Sequence, residues 1–199
     1  IMKSIENAGI ADDTAVIFTT EHGDMLGDHG MLEKRSFYEE SSRIPLLMKI
    51  PWISSRETRI EGSMGQVDLV PTLLEILDQP LPGHLEGKSL VPVLKGKTNL
   101  KENDVFMEWN GTSPDLPDRF LGSEEINTML SFPYRSIVSE RWKLNLSSND
   151  QGELFNLNKD PFEQNNLFNS HEQKDLVQVL KDKIHKWQLD TGDTAPIPD

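Results

Sequence analysis

Cysteine is absent from the 199-residue chain. That excludes disulfide bonds, thiolate metal ligation and a cysteine nucleophile, and it removes the usual clue to redox compartment. No apolar run approaches the roughly 20 residues a membrane-spanning helix needs, and residues 1–10 lack the pattern of a secretory leader, so no membrane partner is expected. Cations are scarce: 20 Lys and Arg stand against 33 Asp and Glu, a formal net charge of −13. A nucleic-acid partner is not expected, because this charge repels a polyanion everywhere except at a local cationic pocket. Lys34 and Arg35 are the candidate for such a pocket. No internal repeat of structural length is present. Localisation stays open among a periplasmic, a secreted and a lysosome-like compartment.

What is present is globular in composition, 36% hydrophobic and 27% charged, and long enough for one ordinary domain or two small ones. Met2, Ile5 and Ala8 fall at helical spacing before Gly9, and Asp12 and Asp13 form a turn before an apolar, β-branched run at 15–18. The pattern predicts the tail of a crossover helix feeding a buried parallel strand. A chain that begins within a crossover is expected to be incomplete. A second strand is predicted over 44–50. Asp68 is the expected N-cap of a helix over 69–77, with Pro71 in its first turn. From about residue 101 the pattern changes to short strands at 105–109, 135–139, 142–146 and 153–157, the middle two forming a hairpin around Glu140 and Arg141. Residues 110–131 read as a long loop able to shape a substrate entrance. The last helix is predicted over 172–189, with Leu176, Val179, Leu180, Ile184, Trp187 and Gln188 as its stripe.

The chemistry concentrates in residues 14–47. The strand at 15–18 stops at Glu21 and His22, and in open α/β sheets ligands gather outside the carboxyl ends of strands. Asp24, Asp28, His29 and three glycines follow, then Lys34 twelve residues beyond His22. Carboxylate and imidazole followed by a cation suit a divalent metal with an anionic substrate. A strand-end Glu-His pair bonded to local backbone is the competing account. Asp24, Asp28 and His29 read either as groups that orient ligands or as turn residues, and Arg43 with Glu39 or Glu40 as a structural ion pair.

Thr19 to Asp24, Leu26 to Gly30, Lys34, Phe37 to Glu40 and Arg43 to Leu46 together resemble the second half of a sulfatase, in the alkaline phosphatase-like superfamily. The segment from Asp160 to Leu167 resembles that family's closing DPxExxNL pattern. The resemblance implies an α/β fold: the C-terminal part of an alkaline phosphatase-like sheet-and-helix domain (1–100), then a small antiparallel β subdomain with a C-terminal helix (101–199). It implies hydrolysis of a sulfate ester, with a sulfated small molecule or glycan as substrate and the N-terminal half of the same enzyme as partner. Alternatives on the same scaffold are a phosphatase or phosphonate hydrolase, and a non-catalytic binding module.

By the same resemblance Glu21 and His22 are the metal ligands, and Lys34 and His22 the catalytic residues. Ca²⁺ is the expected ion, since oxygen ligation favours Ca²⁺ or Mg²⁺, while the imidazole leaves Mn²⁺ and Zn²⁺ open. The family's usual residue at the position of Glu21 is Asp. Lys34 would stabilise charge developing on the sulfuryl oxygens. The nucleophile, a formylglycine made within a C/S-x-P-x-R motif, is expected in the N-terminal half. Ser131-Phe132-Pro133-Tyr134-Arg135 matches the motif by letter but follows the Glu-His strand and leads into the hairpin, so it reads as coincidence. Asn110-Gly111-Thr112 and Asn145-Leu146-Ser147 are glycosylation triplets.

Overall fold

A computed structural model describes residues 1–111 and 124–198. In chain order its elements are α1 Met2–Asn7, β1 Val16–Thr19, α2 Glu39–Ser42, β2 Leu46–Lys49, α3 Leu69–Ile76, α4 Val91–Leu94, β3 Asp104–Asn110, α5 Glu124–Met129, β4 Pro133–Ser139, β5 Trp142–Ser147, β6 Glu153–Asn156 and α6 Lys174–Thr191. The α/β class with an antiparallel sheet and a terminal helix is as the sequence implied. Packing divides the chain into two units, Ile1–Thr20 with Pro45–Asn103, and Glu21–Ile44 with Asp104–Asp199. Residues 21–44 therefore pack with the second half of the chain.

In the first unit β1 and β2 pair antiparallel, Val16 opposite Lys49 and Thr19 opposite Leu46. This corrects the expectation of a buried parallel strand. Phe18 and Leu47, cross-strand partners, are 64% and 61% exposed. An apolar β-branched run reports that a segment suits a covered strand, but it carries no information about which neighbour pairs with it or in which direction. Ala15 and Met48 pack on the core of this unit, formed by Ile50, Ile76 and Val91. Asp68 does not cap α3 with its side chain. Its carboxylate instead accepts the Lys88 N–H at 2.9 Å, while the Thr72 hydroxyl donates back to the Asp68 carbonyl at 2.6 Å.

The second unit is a four-stranded antiparallel meander, β3-β4-β5-β6. The predicted hairpin is there: Ser139 lies opposite Trp142, and Glu140 takes the left-handed conformation at φ 52° that a two-residue turn requires. Ile137, Leu144, Leu146 and Leu154 turn inward against Val177, Leu180 and Ile184 of α6. Burying each such side chain stabilises the unit by about 1.5–3 kcal/mol before entropy is counted. The helix seam runs Val177, Leu180, Ile184, Gln188, whereas Val179 is 52% exposed. At 100° per residue Val179 falls on the far side of the seam, so Val177 replaces it. Trp187 stacks on Phe106, with ring centroids 5.4 Å apart. Helix α5 occupies part of the expected long loop, and the rest of that loop, 112–123, lies outside the described residues.

Candidate functional site

The loop from Glu21 to Tyr38 follows β1 and is tied to the sheet of the second unit. Gly23 donates its N–H to the Ser41 carbonyl at 2.8 Å, and a Cβ at Gly23 would collide with the Glu40 carbonyl. No larger residue permits that approach. Met25 N–H to Glu33 O (2.6 Å) and Gly27 N–H to Met31 O (2.9 Å) close the loop on itself. Met25 and Met31 are buried with Leu130, and Tyr38 and Ile126 pack against them. Four non-glycine residues in this stretch adopt positive φ: Leu26, His29, Glu33 and Arg35. Each holds a sparsely populated conformation, so surrounding contacts must fix it.

Glu21 is exposed and His22 partly buried; the Glu21 carboxylate lies 3.4 Å from His22 Nε2. His22 Nδ1 lies 2.6 Å from the Gly23 carbonyl, which can only accept, so Nδ1 carries the proton. Nε2 then faces a second acceptor. Either Nε2 also holds a proton, or the imidazole lone pair and the carboxylate converge on a cation. Fixing the tautomer through the far nitrogen is how metal-ligating histidines are usually oriented. Glu21 and His22 thus set a carboxylate oxygen and an imidazole nitrogen 3.4 Å apart just beyond the end of β1. Among the described residues no group of three or more His, Cys, Asp or Glu forms a metal-binding cluster.

Lys34 is exposed, between two residues of left-handed backbone, Glu33 and Arg35. Arg35 lies 3.9 Å from the Glu33 carboxylate, and Arg43 pairs with Glu39 at 3.5 Å. Asp24 accepts the Leu26 N–H at 2.9 Å, the turn role weighed for it from sequence. His29 stacks on Tyr38 with ring centroids 3.7 Å apart. A cavity of about 190 Å³ opens beside these two rings and is bounded by β-sheet and α5 side chains. Glu21, His22 and Lys34 do not line it.

Two buried charge clusters lie behind the loop and were not singled out from sequence. Lys143, fully buried on β5, is bound by Glu39 at 2.8 Å, Glu163 at 3.0 Å and the Phe37 carbonyl at 2.6 Å. Glu163 also accepts the Glu39 N–H at 2.6 Å. Burial pushes the Glu163 carboxyl up to about 7, against the pull of Lys143 and the Glu39 N–H. Arg135 is buried and forks onto Asp193 at 2.8 and 2.6 Å, with further bonds to Asn110 and to the Trp109 and Tyr134 carbonyls. The arginine of the S-x-P-x-R look-alike is thus a structural clasp. Hydrogen bonding to Arg135 holds the Asp193 carboxyl down at about 2. A lone lysine between Trp142 and Leu144, inside a strand with apolar inward positions, was the one signal available for Lys143.

Comparison with known proteins covers nearly all of this architecture. The family model described as N-sulphoglucosamine sulphohydrolase, C-terminal, matches residues 27–190. An N-acetylglucosamine-6-O-sulfatase of Bacteroides thetaiotaomicron is 28% identical over 94% of the chain, and the multifunctional alkaline phosphatase superfamily protein PehA of Trinickia caryophylli is 32% identical over 97%. The chain spans 33% and 38% of the lengths of these relatives. Among solved structures, BT4656 in complex with its substrate D-glucosamine-2-N,6-O-disulfate shares the fold at a TM-score of 0.81 and 24% identity, over 98% of this chain and 38% of that one. The phosphonate monoester hydrolase of Agrobacterium radiobacter matches at a TM-score of 0.75 and 27% identity, over 94% and 37%. A family match over most of its length, on the sheet and helix described above, shows that the chain belongs to the sulfatase family of the alkaline phosphatase-like superfamily, as its C-terminal portion.

Proposed function

We propose that the chain is the C-terminal part of an enzyme that hydrolyses sulfate esters, with Glu21 and His22 holding a divalent cation and Lys34 facing the sulfuryl group. The observation that carries this reading is His22 between two acceptors, Gly23 O on one side and the Glu21 carboxylate on the other. A bound Ca²⁺ would polarise the sulfuryl oxygens as a Lewis acid. Within the chain, Gly23 O fixes the His22 ring, and the anchored loop presents Lys34 to an anion. A fixed ammonium stabilises charge that grows on the sulfuryl oxygens as the S–O bond breaks. The nucleophile belongs to the preceding half in this reading, so the isolated chain is inactive, and the ester is a sulfated small molecule or glycan.

Calorimetric titration of the longer enzyme with Ca²⁺, Mg²⁺, Mn²⁺ and Zn²⁺ tests the pair. Saturable binding that weakens at least tenfold in Glu21→Gln and in His22→Ala supports it. An absence of saturable binding supports a non-catalytic module instead. Lys34→Ala should lower kcat on an aryl sulfate by about 10²–10³-fold, the scale of losing one preorganised charge-stabilising donor. A second reading draws support from PehA and from the phosphonate hydrolase: the same residues would serve a phosphate or phosphonate ester. Parallel assays on aryl sulfate, phosphate and phosphonate esters separate the two by kcat/KM.

A further inference from the structure

Alternation along the meander gives the sheet of the second unit two faces of different character. Ile137, Leu144, Leu146 and Leu154 face α6, so Tyr134, Asn145 and Glu153, each an odd number of residues from these inward positions, take the opposite face. Trp109 joins them as the cross-strand partner of Tyr134, and Tyr38 reaches the same face from the loop through its hydroxyl bond to Glu153. The cavity of about 190 Å³ lies among these side chains. Several times the ~30 Å³ share of one liquid water and below the roughly 300–1,000 Å³ of drug-sized sites, it suits a small molecule.

Among the described residues, the half-buried carboxylates Asp150 and Glu153 stand on this wall bonded to neutral donors. Glu153 accepts the Tyr38 hydroxyl at 2.6 Å and Asn145 Nδ2 at 3.0 Å, while Asp150 accepts the Tyr134 hydroxyl at 3.3 Å and the Gln151 N–H at 2.7 Å. Among those same residues Arg35 is the cation lining the cavity, and it leans on Glu33 at 3.9 Å. Hydroxyls and amides satisfy carboxylate lone pairs but leave the charge uncancelled. The phenols register that charge: burial raises both, Tyr38 further through Glu153 and Tyr134 further through Asp150. An anion is repelled here, and a divalent metal meets carboxylate oxygens that are already engaged. Tyr38, Trp109 and Tyr134 offer aromatic surface, and the negative face of such rings attracts an organic cation.

We propose that this cavity binds a small alkylammonium cation, its alkyl surface against Tyr38, Trp109 and Tyr134 and its charge balancing Asp150 and Glu153. Occupancy does not depend on the sulfate-ester reading, since Glu21, His22 and Lys34 do not line the cavity. The test is NMR of the full chain carrying ¹⁵N-tryptophan, titrated with tetramethylammonium chloride at an ionic strength held constant with NaCl. The Trp109 indole N–H, bonded to Leu130 O at 2.8 Å, is the reporter, assigned with Trp109→Phe. The control ligand is tert-butanol, which has nearly the same shape and no charge.

Tetramethylammonium should move that resonance saturably, and tert-butanol should bind about tenfold more weakly, the scale of one partly desolvated cation–aromatic contact. Asp150→Asn should weaken the cation several-fold. Met129→Lys, which carries an ammonium of its own into the cavity from the end of α5, should abolish binding and serves where Asp150→Asn does not fold. The comparison of the two ligands needs no variant at all. No saturable shift would overturn the proposal. So would tert-butanol binding as tightly as tetramethylammonium, which would make the cavity merely apolar, or a shift unchanged in either variant that folds.

Discussion

Replacing Lys143 with Met should destabilise the second unit sharply, through charge and not through volume. The side chain is fully buried, and its ammonium is shared by Glu39 at 2.8 Å and Glu163 at 3.0 Å, themselves little exposed. Methionine keeps most of the stem, so the packing loss is small. What is lost is the buried cation that two desolvated carboxylates share, Glu39 keeping the exposed Arg43 at 3.5 Å. Removing one partner of a buried ion pair costs about 3–5 kcal/mol. For a chain of this length each kcal/mol shifts Tm by about 2–4 °C, so the expected fall is about 6–20 °C.

The pH dependence carries its own sign. Glu163 titrates at about 7 in the fold against an ordinary 4.5, so the folded state binds the proton more tightly than the unfolded one. Its contribution is fully present below 4.5 and is lost as pH rises through about 7. Without the ammonium, which pulls this value down, Glu163 rises further, and Lys143→Met should recover on acidification. Differential scanning calorimetry across pH, with the double variant Lys143→Met/Glu163→Gln, checks the account. The double variant should regain at least half the loss. A Lys143→Met chain melting with the wild type, or a double variant no better than the single, would show that the cluster carries no such charge cost.

Asp193 behaves with the opposite sign. Its folded value of about 2 lies below the ordinary 3.8, so the Arg135 clasp stabilises fully above about 3.8 and is lost as pH falls through about 2. Asp193→Asn should therefore flatten the acid limb of a Tm–pH curve, and an unchanged limb would refute the assignment. Expression in a eukaryotic secretory host should leave Asn145 unglycosylated: the side chain is buried, bonded to Glu153 and followed by fully buried Leu146. Intact-mass and peptide analysis reads this directly, and a glycan at Asn145 would contradict the β5 register.

The sheet of the second unit was legible because its strands alternate and its hairpin needs a tight turn at Glu140, signals that are local in sequence. The direction of β1 was not, because pairing partners are set by distant residues; the same composition serves a parallel or an antiparallel neighbour. At the candidate site, it was the family resemblance, more than residue types and spacing, that pointed to Glu21, His22 and Lys34. Nothing in their spacing could show that Gly23 O fixes the His22 tautomer, since that depends on the turn after the strand. Lys143 and Glu163, twenty residues apart, meet only through the fold. A charged residue on an inward strand position looks the same in sequence whether its partner exists or not. Val179 was misassigned because the helix seam is decided by a one-residue rotation.

The left-handed residues around Lys34 have a consequence for engineering. Their conformations are unfavourable in isolation and are held by ties to the sheet: Tyr38 to Glu153, the Glu39 N–H to Glu163, and the Phe37 carbonyl to Lys143. The loop is thus a spring clamped at its downstream end, and the aim of the ammonium depends on the integrity of the strands that hold Phe37, Tyr38 and Glu39. Mutations that soften β5 or β6 should blur the direction of Lys34 well before the unit melts; under the role proposed for Lys34, activity of the longer enzyme would then be lost at lower temperature than unfolding.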